Sequence, residues 1–462
     1  MAHEVTTEEQ SKRLYRAVWR WHFYAGAFCI PLVVWLACTG SIYLFKPQIE
    51  RWLDRPYDNL PTQPQRATPE QITQAALADM PGAMLHSYEV PTAGNAAVRV
   101  IVGRGHDEFR VYVNPYTLAI LDEVNEDKRP MKVLARMHGE LLAGDWGSRV
   151  VELAASWAIV LVVSGLVLWW PRGTERLAGV LWVRLRKGRR IFWRDLHAVT
   201  GVWVSAFALF LLLTGLPWAK SWGAYFKQVR VLTGTAVARQ DWTSGRSQEL
   251  AQRAAEHDGV MAAMGSEHAM HMAHGMEGMY MPSNYAPLNV LLPAAEHLQL
   301  AYPMLIQPPT KAGGTWTVKS DAQSRPLRAT VHMDGATAAI TGREDFAQRH
   351  IIDRVLGFGI AAHEGQLFGL LNQLLGLATA MGLVTLCISA CAMWWRRRHA
   401  GVLGAPIPTA APRRSFVLVA AVLALAAYLP AMAVSLAAVL LVERFVLSRN
   451  RAASRWLGLR TA

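Results

Sequence analysis

Long apolar stretches separated by polar stretches are the dominant pattern along this chain. A helix that spans a bilayer needs about 20 mostly apolar residues, and four stretches meet this length: 22–45, 149–170, 197–217 and 367–393. Charged residues precede the first stretch and no small-residue cleavage site follows it, so we expect no cleavable signal peptide. We therefore predict a mainly α, polytopic membrane protein built on a four-helix transmembrane bundle.

A fifth apolar stretch, 416–446, leaves two structures open. As one helix it would be about 46 Å long at about 1.5 Å per residue, well over the roughly 30 Å hydrocarbon core. Divided at Pro430 it gives two pieces of about 15 residues, each short for a span. We expect either a tilted, kinked helix or a helical hairpin, followed by the basic tail 447–462.

The two long segments between these stretches, 46–148 and 218–366, have a different pattern. Each begins with a helical stretch and continues with alternating apolar and polar positions, which are typical of half-buried strands. The predicted helices are Gln71–Met80 and Gly245–Glu256, and the predicted strands are Val98–Val102, Phe109–Val113, Thr315–Lys319 and Leu327–His332. We interpret the two segments as small α+β domains.

The distribution of charge predicts which side of the membrane each segment faces. The loop 171–196 has eight Lys/Arg against two acids, and the loop 394–415 has five Arg and no acid. Positive loops stay inside, so these loops and residues 1–21 are predicted to be cytoplasmic. The segments 46–148 and 218–366 have nearly balanced charge and are then predicted to be extracytoplasmic. The net charge of +13 is thus a topology signal that requires no nucleic-acid partner.

The chain also repeats itself in the order helix, outside segment, helix. The matched positions, first copy then second, are His22 and His197, Thr39 and Thr214, His138 and His363, Ser164 and Ser389, and the tryptophan pairs 169–170 and 394–395. In both copies 17 residues separate the first histidine from the threonine. The second histidine precedes the serine by 26 residues and the tryptophan pair by 31 in both copies. We interpret this as a duplicated helix–domain–helix unit.

The four matched histidines are the strongest candidates for chemistry. Histidine inside a membrane is costly and usually lies in the bundle interior. The topology places His22 and His197 near the cytoplasmic face, and His138 and His363 near the periplasmic face. Two imidazoles across a bundle are ligands for a six-coordinate haem, so we predict two bis-histidine haem b groups. The alternatives are interfacial structural histidines and a directly bound metal, although zinc prefers three or four protein ligands.

Glycines and arginines near these histidines fit the haem interpretation. Gly26 and Gly201 lie one turn from His22 and His197, and the missing side chains leave room for a flat macrocycle. Arginines near the helix ends can pair with haem propionates. These are Arg20, Arg194, Arg136, Arg149 and Arg354.

Five motifs follow one another in order through residues 10–397. They are Trp21-His22-x3-Gly26, Leu134–Leu141, Ser164-Gly165-Leu166-x2-Trp169-Trp170-Pro171-Arg172, Asp195-Leu196-His197-x3-Gly201 and His363-Glu364-Gly365-x2-Phe368-Gly369. The ordered set resembles the PepSY-associated transmembrane family, which includes inner-membrane ferrisiderophore reductases. The resemblance implies periplasmic PepSY domains and two haems that carry electrons outward to a ferric siderophore. By motif position, His22, His138, His197 and His363 would be the haem ligands.

The segment 257–281 does not fit this family pattern. It holds seven of the 17 methionines and four of the 15 histidines of the chain. Thioether and imidazole groups together suit Cu(I). The predicted ligands are His268, Met270, His271, Met272, His274 and Met276. The alternative is a methionine-rich loop that binds no metal.

Some classes of site have no matching pattern in the sequence. No GxGxxG or P-loop motif follows a strand and opens a helix, so electrons must come from a separate donor: a membrane quinol, a reduced flavin or a cytoplasmic reductase. Cys29, Cys38, Cys387 and Cys391 all lie in apolar stretches, which excludes a disulfide framework and a CxxC site.

Three functions follow from these patterns. The leading hypothesis is a di-haem enzyme of the bilayer that reduces a ferric siderophore or another ferric chelate outside, with Trp316, Tyr280 and Tyr285 as contacts. The second keeps the haems and makes cupric ion the acceptor, received by the Met/His segment. The third is a membrane sensor or interaction protein without haem.

Overall fold

The computed structural model describes residues 7–105, 107–171, 177–236, 284–309, 313–406 and 416–459. Most of these residues are helical, and an antiparallel sheet of eight strands accompanies the helices. The chain divides into two compact units. We call them the helical unit (Met1–Leu44, Ala135–Ala236 and Leu370–Ala462) and the sheet unit (Phe45–Leu134 and Val237–Gly369).

The helices and strands have the following bounds. The helices are α1 (Thr7–Tyr43), α2 (Lys46–Leu53), α3 (Pro69–Asp79), α4 (Pro130–Glu140), α5 (Gly144–Trp169), α6 (Arg189–Gly215), α7 (Lys220–Leu232), α8 (Pro287–His297), α9 (Ile351–His363), α10 (Leu370–Arg397), α11 (Phe416–Tyr428), α12 (Pro430–Phe445) and α13 (Arg451–Leu457). The strands are β1 (Met84–Glu89), β2 (Val98–Arg104), β3 (Asp107–Val113), β4 (Ile120–Asn125), β5 (Met304–Gln307), β6 (Trp316–Ser320), β7 (Ala329–Met333) and β8 (Ile340–Asp345).

Five stretches of the described residues are long and apolar enough to cross a membrane. They are Glu9–Tyr43, Gly144–Trp169, Arg189–Trp218, Leu370–Arg397 and Pro430–Arg449. The first four correspond to the four predicted spans and confirm them as helices. Helices α1, α6 and α10 run past the apolar residues at their charged ends, because polar residues outside a hydrocarbon core can continue the same backbone hydrogen bonding.

The fifth apolar stretch is divided at Pro430, as the sequence predicts. Proline lacks the N–H that would continue a helix, and α11 ends and α12 begins on either side of Leu429. Trp222 Nε1 donates to the carbonyl of Tyr428 at 2.9 Å, so one carbonyl at the end of α11 is satisfied from α7. The choice between a kinked helix and a hairpin stays a prediction.

The four longest helices of the helical unit pack closely. Helix α1 packs against α5 and α10, and α6 packs against the same two helices. Small residues allow close approach between membrane helices. A Cβ added at Gly382 would lie 2.4 Å from Val204 Cγ1, and one at Gly376 would lie 3.0 Å from Leu44 Cδ1. Glycine is therefore required where α10 meets α6 and where it meets the end of α1.

The strands of the two outside segments form one sheet in the order β4-β3-β2-β1-β5-β6-β7-β8. Strands β1 and β5 pair antiparallel, with Tyr88 opposite Ile306 and Glu89 opposite Leu305. The two segments that we interpreted as separate small domains therefore share a single sheet. The physical reason is that β1 and β5 would each be an unpaired edge in a four-stranded half.

The two faces of this sheet differ in chemistry. Alternate residues of a strand point to opposite faces. Val98, Val100, Val111, Ile306 and Val331 belong to a buried core with residues of α3 and α8. The opposite face of β1–β3 is charged, and its buried side chains include Arg99 and Arg110.

Candidate functional site

Two of the four matched histidines lie next to each other in the helical unit. His22 is on α1 and His197 is on α6. Their imidazole ring centroids are 6.4 Å apart, and the ring planes meet at 87°. The two histidines predicted to form the inner pair are thus brought together, although 175 residues separate them in the chain.

The His22 ring is held by a hydroxyl from the other helix of the same copy. His22 Nδ1 is 2.9 Å from Ser164 Oγ on α5. Ser164 Oγ in turn donates to the carbonyl of Leu161 at 3.2 Å. Because the hydroxyl proton is used there, Ser164 accepts and His22 Nδ1–H donates.

The His197 ring is held in the same way in the second copy. His197 Nδ1 is 3.1 Å from Ser389 Oγ and 3.2 Å from the carbonyl oxygen of Leu386, both on α10. Ser389 Oγ donates to the same carbonyl at 3.0 Å. A carbonyl oxygen can only accept, so the Nδ1 of His197 carries the proton.

His138 has a third bond of this kind. It lies on α4, a short helix before α5, and its Nδ1 is 3.0 Å from Thr39 Oγ1 on α1. Thr39 Oγ1 donates to the carbonyl of Trp35 at 2.8 Å, so it accepts from His138. Burial lowers the pKa of His138, which favours the neutral imidazole.

These contacts involve Nδ1 of each ring, and His138 also hydrogen-bonds the backbone of Leu36. Among the described residues, none hydrogen-bonds Nε2 of His22 or His197. With the proton on Nδ1, Nε2 presents a lone pair, which is the form of imidazole that binds a metal ion.

Two glycines lie against these rings. A Cβ added at Gly165 would be 3.3 Å from His22 Cε1, and one added at Gly40 would be 3.1 Å from His138 Cε1. Both distances are shorter than an ordinary van der Waals contact. Each glycine directly follows the hydroxyl residue that bonds the ring, so Thr39-Gly40 and Ser164-Gly165 each receive one imidazole.

The glycines singled out from the sequence have different neighbours. A Cβ at Gly26 would be 3.9 Å from Leu161 Cδ2, and one at Gly201 would be 3.6 Å from Leu386 Cδ2. These are ordinary contacts between the two helices of each copy. The predicted role of Gly26 and Gly201 beside a macrocycle stays a prediction.

His363 is the last residue of α9 in the sheet unit, whereas His138 belongs to the helical unit. The outer pair therefore stays a prediction from the sequence repeat. Glu364 follows His363, and burial raises the pKa of its carboxyl group against the opposing effect of Arg325, Lys46 and Arg328.

Arg20 hydrogen-bonds residues in the C-terminal part of the helical unit. It donates to the carbonyls of Pro406 and Gly458 and to the hydroxyl of Tyr24. Residues two apart on a helix lie about 200° apart around its axis, so Arg20 and His22 are on opposite sides of α1. Its predicted contact with a propionate has no support from this placement.

The other four arginines that were predicted to contact propionates lie in four different environments. Arg194 bonds the buried Asp195 carboxylate at 2.5 Å, Arg136 Nε lies 4.0 Å from Glu140, and Arg149 lies over the Trp146 ring at 5.5 Å. Arg354 lies on α9, and its buried Nε has no hydrogen-bond partner among the described residues.

Other predicted contacts fall outside the described residues or in the core. The candidate copper ligands in 257–281, the helix 245–256 and Tyr280 all lie outside the described residues. Trp316 was expected to contact a chelate, but it is 4% exposed and belongs to the sheet core. Tyr285 packs against the same core. The sequence did not distinguish a core position from a binding contact, because an aromatic residue in a strand fits both equally well.

Ser164, Ser389 and Thr39 were visible in the sequence as repeat positions, but no role was assigned to them. The signal was their equal spacing from the histidines in both copies. In the described part of the chain, no three His, Cys, Asp or Glu side chains cluster as a metal site. The arrangement offers one imidazole pair, His22 and His197, rather than a multi-ligand cage.

Comparison with protein families identifies the chain. The pattern of the PepSY-associated TM region matches residues 19–397, most of the chain. The protein therefore belongs to this family, and with its five apolar helices it is a membrane protein. A comparison with curated proteins finds no match.

Proposed function

We propose that this PepSY-associated transmembrane protein is a haem-dependent reductase that carries electrons across the bacterial inner membrane to a ferric siderophore outside. The observation that carries the proposal is the separation of 6.4 Å between the ring centroids of His22 and His197. Paired imidazoles inside a helical bundle are ligands for haem, so His22 and His197 are the residues that would hold the haem.

The orientation of the rings fits the same role. Nδ1 of each ring is bonded to a serine or a carbonyl, and Nε2 faces no protein partner among the described residues. These hydrogen bonds support a ligand role for both rings, because they leave Nε2 available to bind a metal ion.

A haem bound by His22 and His197 would supply reversible one-electron chemistry. The chain's own contribution is to bind, orient and seclude it. Helices α1 and α6 present the ligands, α5 and α10 present the serines that fix the rings, and their apolar side chains keep water away. Low polarity around the site strengthens each of these hydrogen bonds.

The second haem is proposed from the sequence repeat. His138 and His363 hold equivalent positions in the two copies. His138 also has the Nδ1–H tautomer, bonded to Thr39. The positive-inside rule assigns the inner pair to the cytoplasmic side and the sheet unit to the periplasm. A separate quinol, flavin or reductase then supplies electrons at the His22 and His197 end.

The test is an absorption spectrum of the purified full chain, oxidised and then reduced with dithionite, with haem counted per chain. We expect two haems per chain in the wild type, and one in His22→Ala and in His197→Ala. His297→Ala is the matched control, because His297 is exposed and bonds only its own helix. Absence of haem from wild-type protein made in haem-replete cells overturns the proposal, as does equal loss of both haems in each single variant.

A second candidate acceptor is cupric ion. Seven methionines and four histidines in 257–281 favour it, because soft ligands prefer Cu(I). Deleting 257–281 separates the two acceptors. Loss of copper reduction with retained ferric-chelate reduction supports the copper function, and unchanged copper reduction contradicts it.

A further inference from the structure

One contact recurs three times in the helical unit: an imidazole Nδ1 bonded to a hydroxyl on a neighbouring helix. The pairs are His22 with Ser164 at 2.9 Å, His197 with Ser389 at 3.1 Å and His138 with Thr39 at 3.0 Å. Hydroxyl residues are common in membrane helices, and most bond only their own backbone. Ser41 and Ser205, for example, donate to the carbonyls of Ala37 and Gly201 and have no histidine partner.

The three hydroxyls all hydrogen-bond in the same direction. Each donates its own proton to a backbone carbonyl three or four residues earlier, at Leu161, Leu386 or Trp35. Each can then only accept from the imidazole, which fixes the proton on Nδ1. The bond to the hydroxyl therefore sets the tautomer of each ring.

In the first copy, the residue that follows each hydroxyl residue is a glycine that packs against the imidazole ring. Gly165 and Gly40 lie against the Cε1 atoms of His22 and His138. The second copy has Ala390 after Ser389, and there the ring of His197 also donates to the carbonyl of Leu386. The two rings of the inner pair are therefore held by related but unequal contacts.

A hydrogen bond from Nδ1–H makes an imidazole a stronger electron donor through Nε2. Greater donation stabilises the oxidised, more positively charged iron. We propose that Ser164, Ser389 and Thr39 are positioning residues, which hold the ligand imidazoles as Nδ1–H tautomers and lower the reduction potential of the haem that each histidine binds. The inference rests on the proposed function and goes beyond it, because it assigns the control of potential to side chains that touch no iron.

The experiment is a spectroelectrochemical titration of the haem-loaded full chain and its Ser164→Ala and Ser389→Ala variants. Because the bond is stronger to the ligand of the oxidised haem, we expect its loss to raise the ratio of reduced to oxidised haem at fixed potential about fivefold. For a one-electron couple this is a positive shift of about 40 mV. Ser164→Thr keeps the hydroxyl and is expected to keep the wild-type potential, and Ser41→Ala and Ser205→Ala are the matched controls.

The outcomes separate this inference from the proposed function. Wild-type protein without haem overturns the proposed function itself. Haem bound in Ser164→Ala and Ser389→Ala at an unchanged potential overturns only the inference. If an alanine variant loses its haem, Ser164→Thr decides: retention of haem at the wild-type potential supports the inference, and a loss equal to that in Ser164→Ala contradicts it.

Discussion

The two copies of the repeat share a side-chain contact in the helical unit and differ in charge in the sheet unit. In the helical unit both copies place a histidine against a serine of the partner helix, His22 with Ser164 and His197 with Ser389. The shared contact joins the same two positions in each copy. Both copies are needed to bring the two rings together, so neither could change alone.

In the sheet unit the copies share a core and matching turns after β3 and β7, where Asn114 and Asp334 accept backbone hydrogen bonds. Val111 on β3 and Val331 on β7 occupy matching core positions. The neighbouring position is Arg110 in the first copy, paired with Glu89 at 2.8 Å and Glu126 at 2.6 Å. In the second copy it is Thr330. The two copies thus keep the same core in the sheet and differ in charge on its opposite face, whereas the helices keep the same histidine–serine contact.

The largest expected effect comes from removing Arg110. Its side chain is 9% exposed, and Arg110→Ala removes a cation from the partly buried Glu89 and Glu126, which Arg99 and Arg129 still contact. Breaking a buried ion pair costs about 3–5 kcal/mol, and we expect a loss at the lower end of this range in the free energy of unfolding measured with denaturant, because those two arginines stay. Thr330→Ala, at the matching position, should change it by less than about 1 kcal/mol. Equal losses of unfolding free energy in Arg110→Ala and Thr330→Ala would contradict the difference between the two copies.

A second prediction distinguishes two glycines near His22. Alanine at Gly165 must displace the His22 ring, because its Cβ would lie 3.3 Å from Cε1. Overpacking of this kind costs about 1–3 kcal/mol, and we expect a lower melting temperature and less inner haem. Gly26→Ala meets Leu161 at an ordinary 3.9 Å and should be neutral or slightly stabilising. If Gly26→Ala loses haem and Gly165→Ala does not, the result would support the position beside a macrocycle that the sequence predicts for Gly26.

A third prediction concerns the start of α3. Thr68 accepts from Gln71 N at 3.3 Å, and Gln71 Oε1 accepts from Thr68 N at 2.9 Å, which forms a capping box. Thr68→Ala should lower the free energy of unfolding of the sheet unit by about 1 kcal/mol. Thr62→Ala is the control, because Thr62 is exposed in a loop. The capping role would be contradicted by two indistinguishable denaturation curves.

The smallest expected effect is a pH-dependent gain in Glu364→Gln. Burial raises the pKa of the Glu364 carboxyl above 4.5, so the folded state favours the protonated form. The wild type therefore loses stability as pH rises above about 4.5, and the glutamine does not. The variant should melt higher than wild type at pH 7 and equally at pH 4. A lower melting temperature at pH 7 would mean that the ionised carboxylate is stabilised by its neighbouring cations.

Much of the helical fold was predictable from the sequence. The four apolar stretches and the break at Pro430 depend on local composition, and the structure has helices at each. Strands β1, β4, β5 and β8 were missed. The pairing of β1 with β5 joins residues more than 200 positions apart, and no local pattern encodes it.

The proximity of His22 and His197 was predictable from the sequence, and the hydroxyls that hold their rings were not. His22 and His197 were found because membrane histidines are rare and these two recur at matched positions. Gly165 was overlooked because its importance comes from the ring packed against it, which only the tertiary structure shows. The hydroxyl of Ser164 likewise gains meaning from a partner 142 residues away.

The most direct test of the account is electron transfer across a sealed bilayer. Haem-loaded protein is reconstituted into vesicles that contain a trapped ferric chelate, and a membrane-impermeant reductant is added outside. The account predicts that ferrous iron forms inside vesicles with wild-type protein and does not form with His22→Ala or with His138→Ala. Equal internal reduction in the variants and the wild type would contradict a path through the matched histidines.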